Sequence, residues 1–373
     1  MNIFKFKLRR TFPVFLSCIL LCACSANAET KPQTTEMFAF DTFVSVTSYD
    51  KNADSTKELL NALSGEFSET YNKKANTLTG DNCTNILECA EICREWGERF
   101  GGIFGGSINF TCGALTKLWG ISGENPHVPD ESELSAALET ITDEDTPFSL
   151  MPDETMLDFG ASAKGFACDK VKALLDSSGT KCQIVSLGSS TLLYGQKPSN
   201  GSKFRAAVKN PNSPSEYLGT ITTDAAFIST SGGYERYFEK NGVKYEHILS
   251  PETGMPVETD LCSVTVITPA ETENGGIYTD LLATAVYSGG TSALREFMAL
   301  DTEYGIVAAD KNNNVYVSAG VDFTLYEGSD FVLSENLYTE RYYNSFGCGG
   351  TAGTDLYPAE RFVRKRSGGS CFP

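Results

Sequence analysis

Apolar and polar positions follow two rhythms along the chain, one of period two and one of helical period. Phe38 to Tyr49, rich in Phe, Val and Thr with partial alternation, reads as a strand. Helical spacing of apolar residues then predicts helices over Ser55 to Tyr71 and Thr84 to Phe100. Gly101, Gly102, Gly105 and Gly106 are expected to loosen the backbone before Ser107-Ile108-Asn109, which makes this loop a candidate ligand-contact segment. Asp130 and Glu133 form a capping box for a helix through about Leu138. From Met156 a short apolar strand is expected to enter the small-residue turn Gly160-Ala161-Ser162-Ala163-Lys164-Gly165. Phe166, Val171, Leu174 and Leu175 then suit a helix ending at Gly179.

Further strands are predicted at Cys182 to Tyr194, Phe204 to Val208, Tyr217 to Thr222 and Cys262 to Thr268. Helices follow at Tyr278 to Tyr287 and near Ser292 to Leu300. Val307 to Ala309 and Val315 to Val317, joined by Lys311-Asn312-Asn313-Asn314, read as a hairpin. Strands mixed with helices in hairpin and crossover contexts predict a mixed α/β (α+β) fold.

The two ends differ from this body. Lys5, Lys7, Arg9 and Arg10 precede an apolar run, Phe12 to Leu21, that is too short to span a bilayer comfortably and reads as an export signal. Leu21-Cys22-Ala23-Cys24 looks like a bacterial lipobox, with Cys24 as the lipidated mature N-terminus; the alternative is an ordinary signal peptide with Cys24 incidental. The expected organisation is a signal over residues 1–23, a polar tether over 24–36, one domain over 37–340 and a Gly-rich tail over 341–373 outside the main fold. The tail carries Arg361, Arg364, Lys365 and Arg366.

The 373 residues carry a net charge of -18, which argues against nucleic-acid binding, because bulk electrostatics would repel a polyphosphate. A phosphate ligand must therefore be held by local dipoles or a metal. Cys89 and Cys93 lie four apart on a helical pattern; they could ligate metal, but packed apolar roles are commoner and no CxxC partner pair exists.

Three segments carry candidate chemistry. The turn Gly160 to Gly165 lets a phosphate approach exposed N–H groups at a helix start, although a tight packing turn would look the same. Asp280 and Thr284 share one helix face and offer two hard oxygen ligands suited to magnesium; a solvated Asp and a Thr bonded to its own backbone are the alternative. His247, before the Pro251-Glu252-Thr253-Gly254-Met255-Pro256 loop, is a candidate general base, ligand hydrogen-bonder or surface bystander. His127 reads as a surface residue.

Taken in order, these segments resemble the ApbE family of flavin transferases. The resemblance runs from Phe38 to about Thr324. It includes Asp41-Thr42-Phe43-Val44, Gly105 to Leu115 with Leu118-Trp119-Gly120, and Leu157-Asp158-Phe159-Gly160-Ala161-Ser162-Ala163-Lys164-Gly165. Leu187-Gly188, Lys197-Pro198, Ser231-Gly232, Tyr234-Glu235-Arg236-Tyr237-Phe238, His247-Ile248-Leu249 with the Pro251 loop, and Asp280 to Ala285 complete it. The resemblance implies a T-fold-like α/β domain that binds FAD. Phe40, Tyr71, Ser107, Ile108, Asn109, Asp158, Lys164, His247 and Ile248 would line the FAD site. The Ala161 carbonyl with Asp280 and Thr284 would hold magnesium (Mg2+).

The implied reaction moves FMN from FAD onto a Thr or Ser hydroxyl of an exported target flavoprotein, with AMP released. Asp280 and His247 are the implied catalytic groups. The place of work would be the outer side of the cytoplasmic membrane, where the lipid anchor holds the protein. An FAD pyrophosphatase and a lipid-anchored flavin-binding protein without catalysis are the alternatives. Against the family pattern, Asn109 stands where an Asp is usual, Ser186 and Ser189 replace an Asn and a Gly, Gly233 replaces an Asp, and Ser250 replaces the Asp or Asn before Pro251.

Overall fold

The computed structural model describes residues 31–50, 53–68, 74–78, 83–123, 125–197 and 202–334. The signal, Cys24, Tyr71 and the tail over 341–373 lie outside them.

The chain enters the fold as a hairpin, β1 (Gln33–Ala39) and β2 (Thr42–Ser48), in place of the single strand expected from Phe38. Phe40 and Asp41, at φ 51° and 52°, make the two-residue turn. Both central residues at positive φ match the right-handed twist of the strands, a turn that Gly or Asn usually signals and that two other residues here conceal. The strand also begins inside the expected tether, so residues 33–36 belong to the sheet.

Helices α1 (Asp54–Phe67) and α2 (Thr84–Phe104) follow. The first stops before the predicted end at Tyr71. The second continues through Gly101 and Gly102, because Phe100 and Phe104 on its buried face outweigh the helix cost of two glycines. Short helix α3 (Gly113–Trp119) was not expected. Helix α4 (Glu131–Leu138) has the predicted capping box in both directions. No strand forms at Met156 itself, which makes isolated bridges to Lys74 and Cys112 before helix α5 (Ala163–Ser178).

The remaining elements are β3 (Cys182–Leu187), β4 (Ser190–Gly195), β5 (Phe204–Asn210), β6 (Ser213–Thr223), β7 (Ala226–Ser231), β8 (Tyr237–Lys240), β9 (Val243–Glu246), β10 (Leu261–Pro269), α6 (Gly275–Met298), β11 (Gly305–Asp310), β12 (Asn314–Val317), β13 (Phe323–Leu325) and β14 (Val332–Leu333). Gly188, at φ 63°, splits the predicted strand Cys182 to Tyr194 into the hairpin β3–β4. The two helices expected near the end are one element, α6, interrupted at Gly290 by a non-helical residue (φ 66°, ψ -159°).

Among the described residues, one sheet has the order β1-β2-β3-β4-β7-β10-β11-β12-β14, antiparallel except for the last pair. A second has the order β13-β6-β5. The period-two pattern divides the core: Leu192, Phe227, Val266 and Ala308 face the helices, while Leu193, Ile228, Ile267 and Val307 face the small sheet. This is the mixed α/β architecture that the sequence predicts. Cys89 and Cys93 are packed in the helical layer, and both are free thiols.

Candidate active site

Helix α6 lies against α5, α2, β7 and β10 and is buried on nearly all sides over its first turns. This explains its small, apolar sequence. The approach to α5 is closest at Gly165 and Gly276, where a Cβ on either glycine would overlap the other's carbonyl oxygen.

Asp280, only 5% exposed, points from α6 to the start of α5. Its Oδ2 accepts from the Gly165 N–H at 2.6 Å and its Oδ1 from the Ser190 hydroxyl at 2.6 Å. One turn later, the Thr284 and Ser231 hydroxyls are 2.9 Å apart. A further turn on, the Tyr287 hydroxyl accepts from the Gly233 N–H at 3.0 Å and donates to Glu246 at 2.8 Å. Asp280, Thr284 and Tyr287 thus form one polar stripe along α6 facing the end of β7. Burial and the neighbouring Glu246 carboxylate push the Tyr287 hydroxyl up. Glu246 fills the space that a side chain at Gly233 would need.

The turn before α5 is built by Asp158. Its Oδ1 accepts from the Gly160 N–H at 2.6 Å, its other oxygen from the Thr116 hydroxyl, and its own N–H donates to the Phe110 carbonyl at 2.8 Å. Ala161 and Lys164 follow, both partly buried, and the Lys164 ammonium donates to the Gly160 carbonyl at 3.3 Å.

His247 sits beside this turn. Its backbone N–H and its Nδ1 both meet the Arg236 carbonyl, at 3.1 and 3.2 Å. A carbonyl only accepts, so Nδ1 carries the proton and Nε2 keeps the ring's lone pair. Burial, then the Arg236 charge, with a smaller contribution from Lys164, lowers the imidazole to about 4, so it is neutral at pH 7. Arg236 also donates to the Asp41 carbonyl at 2.8 Å, which ties the Phe40–Asp41 turn to the His247 segment. The Phe40 N–H donates to the Ser64 hydroxyl at 2.7 Å, and Phe40 and Ile248 pack at the rim of the helical core.

Ser107, Ile108 and Asn109 lie on the loop after α2. Asn109 Oδ1 accepts from both the N–H and the hydroxyl of Thr111, each at 2.7 Å, so this amide organises its own turn. A cavity of about 470 Å³ opens here, lined by Arg94, Ile108, Asn109, Glu144, Pro251 and Glu252. Burial raises the Glu144 carboxyl to about 7 against its bond from the Phe110 N–H. A larger cavity of about 940 Å³ opens at the ends of β4, β6 and β10 beside Lys172 and Asp176 of α5, and none of the predicted site residues lines it. His127, 3.9 Å from Glu133, is on the surface as expected.

Asp280 therefore reaches the start of α5, the segment that carries Ala161 and Lys164. Thr284 lies one turn further along α6 against Ser231, His247 is held by the Arg236 carbonyl within electrostatic reach of Lys164, and Ile108 and Asn109 border a separate hollow. Sequence reasoning missed Ser190 and Glu246 and gave no role to the motif residues Ser231 and Arg236, whose partners are distant in the chain. Tyr287 was within reach, since it continues the spacing of Asp280 and Thr284.

The donor set around Asp280 is chemically suited to magnesium. The oxygens that the resemblance assigns to the metal, the Asp280 carboxylate, the Thr284 hydroxyl and the Ala161 carbonyl, are all hard, and each Asp280 oxygen accepts only one hydrogen bond here. No group of three His, Cys, Asp or Glu side chains poised for a metal occurs among the described residues, so a tight all-protein cage is not what this site offers.

A model of the ApbE family matches residues 40–308. An FAD:protein FMN transferase of Klebsiella pneumoniae (strain 342) is 32% identical over 221 residues, 57% of this chain and 66% of that protein. One of Treponema pallidum (strain Nichols) is 32% identical over 242 residues, 58% and 64% of the respective chains. The chain thus spans just under two thirds of the length of these relatives. Among solved structures, the ApbE protein of Thermotoga maritima has a TM-score of 0.64 at 24% identity, covering 78% of this chain and 97% of its own. The flavin transferase ApbE of Vibrio cholerae gives 0.62 at 22%, covering 78% and 98%. At such identities these two speak for the fold.

Proposed function

The chain belongs to the ApbE family, and on that footing we propose that it is a magnesium-dependent FAD:protein FMN transferase. It would attach FMN through a phosphoester to a Thr or Ser hydroxyl of an exported flavoprotein, with release of AMP. The observation that carries this reading is the contact of Asp280, one turn before Thr284 on the same face of α6, with the N-terminal turn of α5 that carries Lys164, together with a neutral His247.

In the reaction the acceptor oxygen bonds to the FMN phosphorus while the bond to the bridging oxygen breaks, and that oxygen leaves with AMP. The α5 turn and the Lys164 ammonium face the pyrophosphate with positive potential. His247 Nε2 takes the acceptor proton, and the Arg236 carbonyl fixes the tautomer that makes this the free nitrogen. Asp280, Thr284 and the Ala161 carbonyl would hold magnesium, whose Lewis acidity offsets charge developing on the phosphate oxygens. Phe40, Tyr71, Ser107, Ile108, Asn109, Asp158 and Ile248 are assigned to FAD by the resemblance. Cys24 is assigned to a lipid anchor that keeps the enzyme at the outer side of the cytoplasmic membrane.

Incubating the mature protein with FAD, magnesium and an acceptor flavoprotein, then weighing the acceptor by mass spectrometry, tests the reading. An FMN-sized adduct is expected. AMP without adduct across several acceptors would identify a pyrophosphatase instead, and neither product would leave a flavin-binding protein. Cys24→Ser should release the protein from membranes; retention would remove the anchor from the proposal.

A further inference from the structure

Helices α5 and α6 each begin without a cap of their own. Ser162 at the start of α5 makes no side-chain cap, and neither does Asn274 at the start of α6, which sits in the left-handed region at φ 52°. The free N–H groups of a helix's first turn need acceptors when buried. Here each helix takes its acceptor from the other. Asp280 of α6 accepts from the Gly165 N–H in the first turn of α5. Asp169 of α5 accepts from the Gly276 N–H at 2.9 Å and the Ile277 N–H at 2.8 Å in the first turn of α6.

Between these two carboxylates lies the Gly165 and Gly276 contact, with no room for a side chain on either residue. The three features form a closed brace. Asp169 fixes the first turn of α6, Asp280 projects from the turn that follows, and its carboxylate returns to the backbone of α5 four residues before Asp169. A shift at one end must therefore be felt at the other.

We propose that Asp169 is a positioning residue, which holds the Asp280 carboxylate in place by capping α6 from α5. The inference rests on Asp280 lying at the reaction centre and extends that reading to a residue that touches no substrate. It differs from an ordinary cap in its reach: Asp130, which caps α4 through its capping box, should affect only its own helix.

Amide hydrogen exchange on the full mature chain tests the brace without reference to catalysis. In Asp169→Ala the Gly276 and Ile277 amides should lose protection, and so should Gly165, although its acceptor is Asp280 and not the altered residue. The Val266 and Ile306 amides of the central sheet should keep theirs. The FMN-transfer assay should lose on the order of 10- to 100-fold in kcat, as for other residues that orient a site from behind, with KM for FAD little changed. Asp169→Asn, which keeps one acceptor oxygen, should fall between. Asp130→Ala, matched for lost thermal stability, should leave kcat unaltered.

Gly165 protection intact in both Asp169 variants, or a kcat loss shared by Asp130→Ala, would overturn the proposal. Loss of Gly165 protection in a protein whose wild type forms no adduct would uphold the brace and remove the transferase reading alone.

Discussion

The start of α5 and the loops around Asn109 and His247 solve the placement of polar groups in opposite ways. At the helix junction, carboxylates are satisfied by backbone N–H groups of a neighbouring helix, in space that admits no extra atom. In the loops, side chains organise their own turns, as Asn109 does with Thr111, and a hollow remains beside them. On the proposed function, the group that must not move sits on packed helices, and the groups assigned to the large ligand sit where backbone can adjust.

The sharpest way to break this contrast is at Asp280. Asp280→Ala should cut FMN transfer by at least about a hundredfold, as removal of a single group stabilising the transition state does, while FAD still binds. Chelation of magnesium in the wild type should reproduce the defect. Undiminished adduct under EDTA would make the stripe on α6 purely structural.

Packing at the junction comes next. Gly165→Ala should lower unfolding stability by about 3 kcal/mol in a denaturant titration, since its methyl meets backbone that cannot withdraw. A loss under about 0.5 kcal/mol would mean that the helices separate easily and that the brace is loose.

The two regions also carry opposite pH dependences. Burial lowers His247 to about 4, so the unfolded chain binds the extra proton between about 6.5 and 4, and stability falls as pH drops through that window. Burial raises Asp169 to about 7, so its contribution runs the other way: it is fully present below the ordinary Asp range and lost as pH rises through 7. His247→Gln should therefore flatten the acid-side loss of stability between pH 6.5 and 4, read as melting temperature against pH. An unchanged acid limb would mean that the imidazole is solvated.

The smallest effect is expected in the loop. Asn109→Ala removes two bonds to Thr111 at a partly exposed turn and should cost about 1 kcal/mol of stability, by the same denaturant method. A cost equal to that of Gly165→Ala would erase the distinction between junction and loop.

How much of this was legible beforehand follows the range of each interaction. The capping box of Asp130 and Glu133 and the shared face of Asp280 and Thr284 depend on residues three and four apart, and both were readable. The Phe40–Asp41 turn was hidden because Phe40 gives no sign of a left-handed conformation and Asp41 without a following Gly gives only a weak one. Gly101 and Gly102 misled because their local cost was visible while the burial of Phe104 was not. The Asp169 cap could not be found by spacing at all, since Gly276 is 107 residues away. Its motif neighbours, Lys164 and Gly165, drew attention to the turn and away from the helix behind it.

The break at Gly290 gives α6 a division of labour. Asp260 accepts from the Thr291 N–H at 2.8 Å and its hydroxyl at 2.5 Å, so the second half of the helix starts afresh with its own borrowed cap. For protein engineering this makes Gly290 a seam. Exposed positions of the second half such as Ser292 and Arg295 can be redesigned while Leu294 and Phe297 stay in the core, with the joint absorbing small changes of pitch before they reach Asp280.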